Sequence, residues 1–451
     1  MTQTLQRQLT PRHITFMALG MCIGAGLFLG SASTIQLAGP SLLFAYLFGG
    51  TMIFIIMRAL GEMAAHEPIA GSFSTYAHQY LGPFAGYLTG WNYWILMMGV
   101  GIAESTAVGI YMKAWFPASP QWIWAFASVA MIGGLNLMAV KVYGELEFWF
   151  ALIKVLTVVA MIAGGCAMIW LGWGNGGKPI GLSNLWTHGG WFPNGITGMV
   201  LALPVLVFSF GGIETIGMAA AEAAQPERTI PRAVNSVIWR ILIFYIGSLF
   251  VIMAIYPWNE LGTQGSPFVT TFARLGIPQA AGLINFVVIT AALSSFNSTM
   301  FSGSRMLHSL ATKGQAPMAM GRLSAQGVPV RGVLVTLVFL LFGVLMNYLV
   351  PGRIFGMMMS ILAFNTVWTW GMVLVAHWRF RRQQPVPLAF RLRWFPLSSV
   401  VCLAFLAFVL VMLGYSADTR VALYVGVIWL ALLAVGYRVG GIEQRMRMAS
   451  A

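Results

Sequence analysis

Two apolar stretches of this sequence are each interrupted by glycines, at a depth where a membrane helix has no water to satisfy its backbone. The first stretch, 14–37, contains several glycines between Gly20 and Gly30. The second, 196–223, contains the run Phe208-Ser209-Phe210-Gly211-Gly212-Ile213-Glu214. In a bilayer, unpaired backbone groups are tolerated only where they line a cavity or lie buried in protein. Two such breaks at corresponding positions of two halves predict a binding site near the membrane midplane, as in secondary transporters.

A helix break exposes both kinds of backbone group. The half-helix that begins there presents N–H groups that can bind a carboxylate, and the half that ends there presents carbonyls that can bind an ammonium. A zwitterionic amino acid fits these two poles. We expect its carboxylate at the amides of Gly24, Ala25 and Gly26. We expect its ammonium near the carbonyls of Cys22, Ile23, Phe208 and Gly211, with Ser209 beside them.

Close helix packing is the alternative explanation for the first break. The pairs Gly20/Gly24 and Gly26/Gly30 fit the small-xxx-small pattern that lets membrane helices approach each other. Packing alone does not explain why the second break has a Gly-Gly step followed at once by Glu214. Both explanations stay open at the first break, and the pair of breaks favours a binding site.

Lys154 is a cation inside an apolar segment. It lies about seven residues into the predicted helix 147–171, or roughly 10 Å deep. A lysine near the bilayer centre costs about 2.5–3.5 kcal/mol on insertion scales, so it needs a reason. Because burial penalises a charged amine, Lys154 is suited to exchange a proton. The alternative is that its long stem snorkels to the interface.

Three acids fall within or near the apolar segments. Glu214 directly follows the second break. Glu104 lies in the middle of the predicted third span, where a functional and a structural role are both open. Glu62 is predicted to pair with Arg58, which lies four residues away on the same helix.

The composition excludes an ordinary soluble fold. Hydrophobic residues make up 59% of the chain and charged residues 8%, against about 25% charged in a typical globular domain. Segments of about 20 apolar residues, enough to cross a bilayer, recur along the whole chain. They predict an all-α polytopic membrane protein with twelve transmembrane helices. The twelve predicted spans are 14–37, 41–63, 84–112, 120–140, 147–171, 196–223, 234–257, 279–304, 331–350, 353–378, 396–414 and 419–437.

The spans divide into five, five and two. The whole chain, 1–451, is expected to form one transporter domain with a first repeat at 14–171 and a second at 196–378. An odd number of spans per repeat inverts the second relative to the first, with broken helices 1 and 6 at the interface. Spans 11 and 12, at 396–437, would be peripheral. The connection 64–83 is either a short interfacial helix or a simple loop.

The basic residues indicate an orientation. With a cytoplasmic N-terminus, 19 of the 25 Lys and Arg residues fall on the inner side, so both termini are predicted to be cytoplasmic. The net charge of +14 therefore reflects topology and contact with membrane lipid, not binding of nucleic acid. The scattered histidines predict no metal site, and the absence of a phosphate-binding loop predicts that ATP hydrolysis does not drive the protein and that no ATPase subunit is implied. An enzyme is disfavoured, because the sequence shows neither clustered ligands nor a nucleophile with a base.

Several strings resemble those of a known family. Ile23-Gly24-Ala25-Gly26-Leu27-Phe28, the run from Phe208 to Glu214, and Gly144-Glu145-Leu146-Glu147-Phe148-Trp149-Phe150-Ala151-Leu152-Ile153-Lys154-Val155 look like signatures of bacterial amino acid permeases. These form the amino acid transporter branch of the amino acid–polyamine–organocation superfamily, with permeases for aromatic residues, proline, histidine, threonine or 4-aminobutyrate. The resemblance covers essentially the whole chain and implies the five-plus-five inverted-repeat fold and uptake of an amino acid with a proton.

The resemblance also implies roles for individual residues. The Lys154 amine would take the place of a sodium ion in sodium-coupled cousins, near carbonyls at Gly20 and Met21 of span 1 and Ser294 or Ser295 of span 8. Glu214 would link the pocket to a gate, and Phe208 would cover bound substrate.

The sequence thus predicts a secondary active importer of a neutral L-amino acid in the cytoplasmic (inner) membrane of a bacterium. It would work by proton symport and alternating access, with no cofactor other than the coupling proton. An amino acid exchanger of the same fold is the alternative. The glycines would recognise groups common to all amino acids, so they do not identify the substrate.

Overall fold

The structure is a computed structural model that describes residues 23–69, 71–138, 140–220, 225–261, 266–273, 280–383 and 389–450. Within these ranges the regular structure is helical. A π-helical segment, Ile241–Gly247, joins two of the helices. In chain order the helices are α1 (Ala25–Phe28), α2 (Gly30–Ala38), α3 (Leu42–His66), α4 (Ser72–Leu81), α5 (Pro83–Met112), α6 (Gln121–Asn136), α7 (Val140–Leu171), α8 (Gly195–Leu201), α9 (Leu203–Ser209), α10 (Thr215–Ala219), α11 (Pro226–Arg240), α12 (Ser248–Ile255), α13 (Pro267–Ala273), α14 (Ala280–Thr312), α15 (Val330–Leu349), α16 (Ile354–Gln383), α17 (Leu397–Tyr415), α18 (Ala417–Val439) and α19 (Ile442–Ser450).

Nine candidate membrane spans occur in the described part of the chain. The first, Ala25–His66, contains α1, α2 and α3. The turn Gly39–Ser41 between α2 and α3 separates the first two predicted spans. The predicted span 120–140 appears as α6, which has only 16 residues, and 196–223 appears as the short helices α8, α9 and α10. The chain is a multi-pass helical membrane protein. That the chain has twelve spans, and that it contains an inverted repeat, stay predictions.

The helices differ sharply in how much of their surface the protein covers. In the most apolar window of α14, 83% of residues are buried, and in α5 the share is 72%. In α18 only 17% are buried. The interior is thus built around α5 and α14, which pack against each other. Most of α18 is not covered by the rest of the protein.

The connection after α3 contains a helix, which decides between the two structures predicted for 64–83. Helix α4 lies between Gly71 (φ +83°) and Gly82 (φ +105°). These left-handed or otherwise positive φ values favour glycine, and they mark the chain reversals that bound the helix. Helix α4 packs against α5 and α16.

The second predicted break lies in the described structure, and the structure describes the first break from Ile23 onward. At the first, the backbone bends at Ile23 and Gly24, and α1 begins only at Ala25. At the second, α9 ends at Ser209 and α10 begins at Thr215. The five intervening residues form turns in which Gly212 has φ +97°. Because glycine alone adopts this backbone readily, the Gly-Gly step determines where the helix stops.

A candidate substrate site between two helix breaks

A small cavity lies between the two breaks. The centre of a water-sized molecule can move within about 20 Å³ of it, which suffices for water but not for an amino acid without side-chain movement. Helices α5, α14 and α16 complete its wall. The lining residues are Gly24, Gly26, Leu96, Met97, Val100, Glu104, Phe208, Ser209, Gly211, Gly212, Ser295 and Thr366.

Two glycines of the first break allow the walls of this cavity to meet. A Cβ atom on Gly26 would lie 2.9 Å from the Cα of Ser209 and 3.3 Å from the ring of Phe208. A Cβ atom on Gly24 would collide with the Glu104 carboxylate and lie 2.9 Å from the Ser295 hydroxyl. The packing and cavity explanations for these glycines are therefore compatible, because close packing is what brings the two breaks together.

Glu104 occupies the amide pole of the first break. Both of its carboxylate oxygens lie 3.1 Å from the backbone nitrogen of Ala25, and the side chain is 3% exposed. The first amides of a helix have no intrahelical acceptor, and within a membrane water is not available to supply one. Glu104, whose role the sequence left open, thus lies in the cavity wall, bound where the sequence predicts a substrate carboxylate.

Glu214 occupies the corresponding position at the second break. Its two carboxylate oxygens lie 3.2 Å from the backbone nitrogen of Gly212, and the indole nitrogen of Trp370 donates to Oε2 at 3.3 Å. The side chain is fully buried and does not line the cavity. Glu214 therefore ties the second break to α16.

Lys154 is buried inside the protein. Its side chain is 0% exposed, and its Nζ donates to the carbonyl of Ile23 at 3.4 Å. Snorkelling to the interface is therefore the wrong explanation. The amine contacts the first break at Ile23, the residue directly before Gly24 of the cavity wall.

The remaining predicted site residues divide into three groups. Gly20 and Cys22, like Met21, lie outside the described residues. Ser295 lines the cavity, whereas Ser294 faces α7 and donates to Glu147 at 2.7 Å. Two of the carbonyls predicted to bind the ammonium already accept hydrogen bonds, since Ile23 receives Lys154 and Phe208 receives the amide of Gly211 at 2.8 Å.

An aromatic cluster supports the second break and was missed by the sequence reasoning. The hydroxyl of Tyr245 donates to the carbonyl of Ser209 at 2.7 Å, and the hydroxyl of Tyr46 lies 3.1 Å from the Ser209 Oγ. The ring of Phe210 packs against Tyr245 at 4.6 Å between centroids. Tyr245 belongs to the π-helical segment, and such segments often lie at functional sites. No pattern in the sequence marks this segment.

Glu147 was also missed by the sequence reasoning. It is buried at 0% exposure on α7, seven residues before Lys154. This spacing was the available signal, because residues seven apart share a helix face.

The predicted pair of Glu62 and Arg58 is wrong. Glu62 accepts hydrogen bonds from Arg381 at 2.6 Å, from the backbone of Leu392 at 2.6 Å, and lies 3.0 Å from the Nε2 of His377. Arg58 instead donates to Asn235 at 2.8 Å. A fully buried carboxylate needs several donors. The interior of the fold supplies more of them than Arg58 alone could.

Comparison with known proteins gives the family of the chain. Residues 13–445 match the family described as amino acid permease. The chain is 54% identical to YtnA, an uncharacterized amino acid permease of Bacillus subtilis, over 99% of this chain and 98% of that protein. It is 48% identical to YbxG, a probable threonine/serine transporter of the same organism, over 98% and 96% of the two chains. It is 47% identical to AroP, an aromatic amino acid transport protein of Escherichia coli, over 96% of each chain.

A multi-pass helical protein whose relatives are named as permeases and transporters is a membrane transporter, not an enzyme. The match over almost the whole sequence then gives the family: the chain belongs to the amino acid permeases.

Proposed function

We propose that this permease imports a neutral L-amino acid across the bacterial cytoplasmic membrane by proton symport and alternating access. Both termini would lie in the cytoplasm. The proposal needs no metal ion, cofactor, ATPase subunit or nucleic acid, since the proton gradient drives uptake. The observation that carries it is the cavity between the backbone breaks at Gly24–Gly26 and Phe208–Gly212.

The contact between Glu104 and Ala25 supports a carboxylate site at the first break. A carboxylate is already bound to this amide, at 3.1 Å from both oxygens. The carboxylate of a substrate would take the same place, with Gly24 and Gly26 adjoining, as Glu104 moves aside. Its ammonium would lie towards the carbonyl of Gly211, since the Ile23 carbonyl already accepts from Lys154.

The cavity wall favours a substrate with an uncharged side chain. Leu96, Met97, Val100 and Phe208 present apolar surface. Glu104 is the single ionisable residue among the described lining residues. Burying an unpaired substrate charge here would be costly. The relatives point the same way, since YbxG and AroP are named for threonine or serine and for aromatic amino acids.

Lys154 is the proposed link to the proton. In its protonated form the amine holds the Ile23 carbonyl, and loss of the proton weakens that hold and lets the first break move. Ser294, Ser295 and Gly20 would take part in this coupling on the two helices beside it. Phe208, with its ring against the position where a Gly26 side chain would begin, would cover the substrate, and Glu214 would transmit movement to α16.

The test is uptake into proteoliposomes that contain the purified protein. A gradient of about two pH units, alkaline inside, supports roughly hundredfold accumulation at one proton per substrate. Labelled L-threonine and L-phenylalanine serve as probes, and the other amino acids compete as unlabelled additions. Accumulation under the pH gradient alone is the expected result. Uptake only into vesicles preloaded with an amino acid would refute symport and indicate the exchanger.

A further inference from the structure

Glu147 is a buried acid that the site described above does not use. It is 0% exposed, and its Oε1 accepts a hydrogen bond from Ser294 on α14 at 2.7 Å. Its Oε2 makes no hydrogen bond of ordinary geometry among the described residues, although Asn297 and Ser298 lie close to the carboxyl group. An acid held inside an apolar protein with half of its carboxyl group unsatisfied is unfavourable, so its presence calls for an explanation.

The position of Glu147 relates it to Lys154. The two residues are seven apart on α7, which places them on one face about 10 Å apart along the axis. Side chains of a helix tilt towards its N-terminus, which on α7 is the direction from Lys154 to Glu147. The two groups interact electrostatically.

The surroundings contain few other groups that could exchange a proton with this pair. On α14, Ser294, Asn297 and Ser298 face Glu147 and are not titratable near neutral pH. On α5, Glu104 interacts with Lys154, but its carboxylate is bound to the first break. Among the described residues, Glu147 is therefore the acid that faces Lys154 without also holding the cavity wall.

Glu147 also lies on the side of Lys154 towards the start of α7. With the N-terminus in the cytoplasm, as the distribution of Lys and Arg predicts, α7 begins at the cytoplasmic face. A proton leaving Lys154 for the cytoplasm would thus reach Glu147 on the way.

We propose that Glu147 takes the proton from Lys154 and releases it to the cytoplasm. An N–H bond of the ammonium breaks and an O–H bond forms on the carboxylate, which leaves a neutral amine and a neutral acid. The acid then gives its proton to cytoplasmic water and returns to the carboxylate form. The amine loses its hold on Ile23 in the first step, so proton release and movement of the first break occur together. This inference rests on the proton symport proposed above.

The experiment compares two transport modes in proteoliposomes, using labelled L-threonine and L-phenylalanine. Accumulation under an imposed pH gradient requires net proton release, whereas exchange of internal for external amino acid at equal pH does not. We expect E147Q to exchange within about twofold of wild type and to accumulate at least about tenfold less. E147D keeps an acid and is expected to accumulate. Glu145→Gln is the matched control, because residue 145 lies two positions away and faces another direction.

Three results would overturn the proposal. If E147Q accumulates as wild type does, Glu147 carries no proton. If E147Q and E147D both lose exchange together with accumulation, Glu147 has a structural role only. If wild-type protein exchanges but does not accumulate under the gradient, proton symport itself is refuted and the role of Glu147 falls with it. The first two results leave the proposed function standing.

Discussion

Replacing Gly26 by alanine tests whether contact between the two breaks is needed for transport. The added Cβ atom would lie 2.9 Å from the Cα of Ser209, whereas carbon atoms pack at about 3.5–4.0 Å. The obstacle is backbone and cannot rotate away. The two breaks must therefore separate by roughly 0.6–1 Å, at the point where Phe208 and Ser209 line the cavity.

This displacement should impair transport much more than folding. Overpacking a tight contact costs about 1–3 kcal/mol, and the gain in helix propensity from glycine to alanine offsets up to about 1 kcal/mol of it. A misplacement of about 1 Å in a binding site can reduce turnover by roughly a hundredfold. We expect Gly26→Ala to lower uptake between about tenfold and a hundredfold while the protein still inserts and can be purified.

Gly371→Ala is the matched control. Gly371 lies within α16, and a Cβ atom there would meet nothing within 4 Å. Initial rates of uptake, normalised to the amount of protein in the membrane, and melting temperature in detergent are measured for both variants. The reasoning is refuted if Gly26→Ala transports as well as Gly371→Ala and both match wild type.

Three further predictions concern residues around the site. Tyr245→Phe leaves the Ser209 carbonyl without its donor at a cost of about 1–3 kcal/mol; uptake should fall by about tenfold, and unchanged uptake would show that this hydrogen bond does not position the break. Glu62→Gln should lower stability, followed by melting in detergent, by about 3 kcal/mol. Glu227 is exposed, so Glu227→Gln should change stability by less than about 0.5 kcal/mol. Equal melting temperatures of the two variants would contradict this. Burial lowers the pKa of Lys313 from 10.5 to about 8, so the unfolded state binds more protons between these values and stability should rise with pH across that window. Lys313→Met should therefore be more stable than wild type by about 2 kcal/mol at pH 7, with an advantage that shrinks above pH 8, and a constant difference would refute the assignment.

The glycines of the first break could be found from the sequence because they act through their own backbone. Gly24 and Gly26 are needed where the first break touches neighbouring helices, and the membrane leaves few other reasons for placing them there. Glu104 could not be assigned in the same way. Helix α5 is covered by protein on most of its surface, so no polar stripe indicates which of its faces meets the cavity.

The partners of buried acids were beyond local rules. Glu62 binds His377, which is 315 residues away in sequence, and spacing along one helix could suggest only Arg58. Glu147 and Ser294 are likewise 147 residues apart. Such pairs depend on how helices rotate and pack against each other, which periodicity does not encode when nearly every face is apolar.

The hydrogen bonds of Glu62 have a mechanical consequence. One carboxylate joins α3, through its own backbone, to Arg381 at the end of α16 and to Leu392 in the segment that follows. These three parts can move only as a single rigid unit unless a buried ion pair is broken. Distances between spin labels on the end of α3 near Glu62 and the end of α16 near Arg381 should therefore stay constant through the transport cycle. Those two helices would serve as the fixed frame against which displacement of α1, α9 and α10 is measured.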